Sequence, residues 1–120
     1  MAKSVAVLVV IALLIGIWSV TTYSYVDKTV DTFAERLDKI AQAPDKNEIK
    51  DINKDWEKHK RRLMYIMNHR DVEQVSEALL RGEKELLSGR VDMALKEISV
   101  AKFYLKELTE REKFSLENLL

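Results

Sequence analysis

Two histidines and no cysteine set the range of side-chain chemistry open to this 120-residue chain. His59 follows Asp55 by four residues. On a helix that spacing puts both on one face, as in one half of a metal site. No second pair of this kind occurs, and one pair is not a site, so His59 reads as a boundary histidine bonded to a neighbour. His69 lies in the polar stretch Asn68-His69-Arg70-Asp71. Histidines titrate near neutral pH, which suits a pH sensor, but a turn or capping role is the plainer reading. The carboxylates are spread over outward faces, and no two share an apolar setting of the kind acid–base catalysis requires. There is no glycine-rich phosphate loop, no His-Glu-x-x-His and no nucleophile elbow. Without cysteine, a thiolate nucleophile, a disulfide and a thiolate metal site are all excluded. The expectation is a protein that is not an enzyme, with no catalytic, cofactor-binding or metal-binding residue.

Residues that would bind something are easier to find than residues that would transform it. The run Lys58-His59-Lys60-Arg61-Arg62 concentrates positive charge that would meet anionic headgroups if its helix folds back towards a bilayer. Trp56 and His69 flank that run, and Met64, Tyr65 and Met67 extend it with adaptable apolar surface. The tail Phe114, Leu116, Leu119, Leu120 is a further docking candidate, or a cap on its own bundle. Nucleic acid is not an expected partner. The formal net charge is zero, from 20 basic and 20 acidic residues, and the basic run lacks interleaved aromatics.

The elements that must position these residues begin with an apolar run. Val5 to Val20 carries no charge and includes eleven Val, Leu or Ile residues. A helix over residues 5–26 is about 33 Å long, enough to cross a hydrocarbon core of about 30 Å. Trp18, Tyr23 and Tyr25 cluster at one end, as interfacial aromatics do. The run exceeds the usual apolar core of a signal peptide and no Ala-x-Ala-like site follows it, so it reads as a retained anchor. Residues 1–26 are thus expected to form a transmembrane anchor and residues 27–120 a bundle domain. Lys3 on the near flank favours a bundle outside the cytoplasm, on the positive-inside rule.

Beyond the anchor, apolar residues recur at helical spacing. Val26, Val30, Phe33, Leu37 and Ile40 form a first stripe, ended by Pro44. Asp45 with Glu48 has the pattern of a capping box. Ile49, Ile52, Trp56, His59, Leu63 and Ile66 form a second stripe, and Asn68 or Asp71 caps the next helix. Val72, Val75, Leu79, Leu86 and Leu87 form a third, stopped at Ser88-Gly89. Val91, Ala94, Leu95, Ile98, Ala101, Leu105 and Leu108 form a fourth. Thr109 with Glu112 reads as another capping box opening a short tail. Glu57/Arg61, Glu77/Arg81 and Asp92/Lys96 are expected as surface ion pairs. The fold class is all-α: an N-terminal transmembrane helix, unbroken into the first stripe, then an up-down bundle of three to four helices.

The layout resembles a family of small bacterial proteins described only as a domain of unknown function. The resemblance rests on the N-terminal apolar segment, Trp56, Asn68-His69 and the ending Glu112-Lys-Phe-Ser-Leu116-Glu-Asn118-Leu-Leu120. Arg70 and Glu73 stand where the resemblance leads one to expect Glu and Asp. It implies a Gram-positive-type cell membrane and brings no substrate or catalytic residue.

These readings converge on a single-pass protein of the cell membrane that acts as a non-enzymatic interaction or scaffold module. Its expected partners are the lipid bilayer and a membrane-associated protein. The alternative is a membrane-tethered sensor that binds a small ligand among Trp56, His59 and the facing stripes. The stripe from Val26 to Ile40 also has heptad spacing, which a homo-oligomer would use as its seam. It is barely two heptads long, so burial in its own bundle is the stronger expectation.

Overall fold

The computed structural model describes residues 2–119, except for the side chains of residues 115, 116 and 119. Among the described residues there are four helices and no strand: α1 (Ala2–Gln42), α2 (Lys46–Ile66), α3 (His69–Leu87) and α4 (Val91–Leu119). Short turns make successive helices antiparallel. The helices close in a ring, α1 against α2, α2 against α3, α3 against α4 and α4 against α1. This is the expected up-down bundle, with the first helix continuing beyond it.

Each turn is fixed by local chemistry. Ala43 N–H still bonds the Lys39 carbonyl at 3.0 Å, and Pro44 then prevents continuation. Asp45 caps α2 by accepting from the backbone N–H groups of Asn47 at 2.8 Å and Glu48 at 3.3 Å. The Glu48 side chain turns to Arg36 instead of reaching back, so only half of the expected capping box forms. Asn68, not Asp71, caps α3, accepting from Arg70 N–H at 2.8 Å. Gly89 adopts φ +81°, a left-handed conformation that strains any residue with a Cβ. There Gly89 N–H reaches the Leu86 carbonyl and Arg90 N–H the Glu85 carbonyl, closing α3.

Helix α1 is about 60 Å long at 1.5 Å per residue, and it dominates a molecule of 69 × 22 × 22 Å. Its two halves differ in burial. The large apolar residues from Val5 to Val20 are all exposed, by 46 to 66%. Burial starts at Thr22 and continues through Val26, Val30, Phe33, Leu37 and Ile40. The first half is long and apolar enough to cross a membrane. We call the end of the bundle from which it projects the rod end. The α2–α3 turn lies at that end, and the α1–α2 and α3–α4 turns lie at the far end.

The core is the meeting of the four stripes, with Trp56 its largest side chain. Its indole N–H donates to Ser76 Oγ at 2.7 Å, and Ser76 donates in turn to the Val72 carbonyl at 3.3 Å. Asn53, also buried, uses its amide to join the Ile49 and Leu79 carbonyls. Burial of each Leu, Ile or Phe stabilises by about 1.5–3 kcal/mol. The surface pairs add far less, and only some of those expected form. Among the described residues Glu77–Arg81 meets at 3.8 Å, while Glu57 lies near Lys60 rather than Arg61 and Asp92 has no such contact with Lys96.

Two expectations need correction. Helix α4 runs through Thr109 to Leu119 without a break, so Thr109–Glu112 is not a helix start. No glycine or proline follows Gly89 to interrupt it, and the Thr109 hydroxyl is buried without a hydrogen-bond partner rather than capping an N–H. Leu87 and Val91 border the far-end turn and are 42 and 40% exposed, so the third and fourth stripes are shorter than their spacing suggests.

Ser76→Ala strands the buried indole N–H and is expected to cost about 1–3 kcal/mol. In the Trp56→Phe background the same change should cost markedly less. Urea unfolding of the four-member cycle in detergent micelles checks this. Additive losses would contradict it.

Candidate functional site

Of the four helix seams, that between α1 and α2 has the least backbone contact, and polar ties compensate along its length. At its far end Arg36 Nη1 donates to Asp55 Oδ2 at 2.7 Å, and Arg36 Nη2 approaches Glu48 at 3.4 Å. The guanidinium also sits 5.8 Å from the centre of the Phe33 ring. Phe33 in turn meets Trp56 edge-on at 5.3 Å and His59 edge-on at 5.6 Å. About two turns nearer the rod end on α1, the Tyr25 hydroxyl lies 3.0 Å from His59 Nδ1. Tyr25 donates where His59 Nδ1 is bare and accepts where Nδ1 carries the proton.

Beyond Tyr25 the seam opens. A cleft of about 370 Å³ lies between Trp18, Thr21, Thr22 and Tyr25 of α1 and Arg62, Tyr65 and Ile66 of α2. Its walls are apolar, and Arg62 is its one charged side chain. A second, smaller cleft of about 250 Å³ lies on the other side of Tyr65, lined by Arg61, Met64, Tyr65 and His69. Tyr65 belongs to both and is 87% exposed. The rod end of α2 is therefore an exposed tyrosine flanked by two arginines in separate clefts.

The basic run is divided by its own helix. Successive residues on a helix are about 100° apart, so neighbours in the run face different partners. Lys58 lies 3.8 Å from Asp55 and is 70% exposed at its side chain. Lys60 turns towards α3, held by Glu73 at 3.0 Å, and its side chain is only 21% exposed. His59 faces α1. Arg61 and Arg62 are exposed, and among the described residues neither lies in an ion pair. Trp56, an interaction candidate by sequence, is 1% exposed and belongs to the core. His69 opens α3 on the surface. The side chains of Leu116 and Leu119, and all of Leu120, lie outside the described residues, while Phe114 is exposed.

The placement of Trp18 and Tyr25 opposite Arg62 and Tyr65 is not visible in the sequence. These residues are far apart along the chain, and only the antiparallel register of α1 and α2 brings them together. Their aromatic character is the one signal that points to them. Among the described residues no three His, Asp or Glu side chains come close enough to share a metal ion. Asp55 is engaged by Arg36, and that hydrogen bond holds its carboxyl below the usual aspartate value. Near the end of α4, burial pushes the Glu112 carboxyl up.

The profile of a family described as "Domain of unknown function (DUF4363)" matches residues 20–119. The chain belongs to that family. The matched region begins two residues before α1 enters the bundle at Thr22. No curated protein and no solved structure matches the chain.

The two perturbed carboxylates give stability effects of opposite sign. Asp55 has a lowered folded-state pKa, so its contribution is present above its unfolded value of 3.8 and is lost as pH falls through the folded value. Asp55→Asn should therefore destabilise at pH 7 by at most about 1 kcal/mol, the pair being partly solvated. The difference from wild type should shrink as pH falls below 3.8. Glu112 has a raised folded-state pKa, which opposes folding once both states are ionised. Glu112→Gln should stabilise at pH 7, with the gain fading as pH falls towards 4.5. Unfolding midpoints from pH 7 to pH 3 check both signs.

Proposed function

We propose that this member of the DUF4363 family is a single-pass membrane protein whose four-helix bundle serves, without catalysis, as an interaction or scaffold module at the bilayer surface. The observation that carries this reading is the change in character along α1. The large apolar side chains from Val5 to Val20 are exposed on every side, and residues 2–21, whose one charge is Lys3, span about 30 Å as a helix. A segment so exposed and so apolar is stable in hydrocarbon and not in water, since each leucine or valine left wet forfeits its transfer energy. Trp18, Tyr23 and Tyr25 then fall where a bilayer meets water. Lys3, with no acidic neighbour, favours its own flank in the cytoplasm and the bundle outside.

Tethering gives such a bundle a purpose that needs no active site. It confines the domain to two dimensions and raises its effective concentration towards a membrane-associated protein partner. The small-ligand sensor fits less well, because Trp56 is buried against Phe33 and Ser76, and His59 packs on the same Phe33 ring. The partner-facing surface would include apolar side chains outside the core, such as Leu80 on α3 and Phe103 on α4, which are 53 and 59% exposed.

Alkaline carbonate extraction of native membranes, with mass measurement of the mature chain, tests the anchor. The protein should stay in the pellet and keep residues 5–20. A freely soluble product trimmed near Ser24 would sink the reading. A photocrosslinker at Leu80 or Phe103 should also capture one specific membrane protein, and recovery of none at either position would count against the interaction role.

A further inference from the structure

We propose that the rod-end cleft between α1 and α2 binds one anionic phospholipid. Its phosphate is held by Arg62, and its acyl chain lies along α1 from Trp18 towards Leu14, Ile11 and Val7. This rests on α1 crossing a bilayer, as proposed above.

Position is the first argument. The cleft extends from Trp18 to Tyr25, about 10 Å along the helix axis. The exposed apolar run ends at Val20, within this stretch, so the cleft straddles the boundary between the hydrocarbon core and the headgroup layer, which is about 5–7 Å deep on each side. Leu14, Ile11 and Val7 continue the face of Trp18 at helical spacing and are 61, 46 and 56% exposed. A chain entering the bilayer from the cleft meets an unbroken apolar stripe.

Chemistry is the second. A phospholipid has an anionic centre joined to apolar tails, and the cleft is an open apolar groove with one cation on its lining. Arg62 offers a planar fork of N–H donors that matches two phosphate oxygens, where a lysine would offer a point charge. Its neighbour Lys60 is committed to Glu73 at 3.0 Å, whereas Arg62 has no carboxylate in ion-pair range among the described residues. Tyr65, a one-turn neighbour of Arg62 on α2, also lines the cleft. Arg61, just across Tyr65, adds positive charge that favours a lipid with net negative charge over a zwitterionic one.

Trp18 lines the cleft and reports on it directly, while Trp56 is shielded in the core. The full chain is reconstituted in phosphatidylcholine vesicles, and Trp18 fluorescence is quenched with brominated phosphatidylglycerol or brominated phosphatidylcholine at equal mole fraction. Phosphatidylglycerol should associate about fivefold more strongly, the factor expected for one basic side chain at the membrane surface. Arg62→Gln should bring that preference close to one. Lys46→Gln removes the same charge at the far end and should leave it intact. Soluble glycerol phosphate in excess should not displace the lipid. Equal quenching by both lipids in the wild-type chain overturns the lipid site and leaves the membrane anchor standing. Loss of the preference in Lys46→Gln as well as Arg62→Gln overturns the site in favour of diffuse charge. Absence of quenching by either lipid overturns the anchor itself.

Discussion

Helix α1 runs without interruption from Ala2 to Gln42, so whatever holds its first half fixes the height and tilt of everything packed on its second. From Val26 to Ile40 one stripe is closed off by the bundle. From Val5 to Val20 the large apolar side chains are all exposed, and only Trp18 approaches α2, at the cleft. A rigid backbone joins the two regimes with no glycine or proline between Ile17 and Ala43 to act as a hinge. The bundle is therefore not a domain on a flexible leash. In the membrane-anchored reading it stands on the bilayer with one end presented to the headgroups.

That constraint gives meaning to the uneven seams of the bundle. Helix α4 lies along both α1 and α3, and α2 is the helix least tied to the rod by backbone proximity. The ties between α1 and α2 are aromatic and polar: the Arg36–Asp55 pair, the edge contacts of Phe33 with Trp56 and with His59, and the Tyr25–His59 bond. They pin the far and middle parts of the seam. The rod end is left open between Trp18 and Ile66, at the depth where a proposed lipid ligand would enter.

Much of the architecture could be read from the chain because apolar burial, the largest stabilising contribution, leaves a periodic trace. The stripe Val26-Val30-Phe33-Leu37-Ile40 is buried throughout, and Pro44, Asp45, Asn68 and Gly89 terminate or cap helices as their side-chain chemistry requires. The Thr109–Glu112 pattern misleads, since a cap works only where the backbone leaves the helix, and α4 does not leave it there. The interaction surface was legible only in part. The basic run Lys58–Arg62 reads as one patch along the sequence, but helical rotation sends Lys60 to Glu73 and Arg62 to the α1 cleft. Trp56 stands out by type, and its size is the reason it is core. The meeting of Trp18 with Tyr65 depends on helix register, which no local pattern encodes.

The central claim is that one continuous helix sets the bundle on the bilayer with the α2–α3 turn at the headgroups. Spin labels placed singly at Leu8, His69 and Asp92 of the reconstituted chain measure this through their accessibility to oxygen and to a water-soluble nickel chelate. The account predicts a label at Leu8 buried in hydrocarbon, one at His69 at the headgroup level and one at Asp92, exposed at the far end, in bulk water. Indistinguishable accessibility at His69 and Asp92, or a water-exposed label at Leu8, would contradict it.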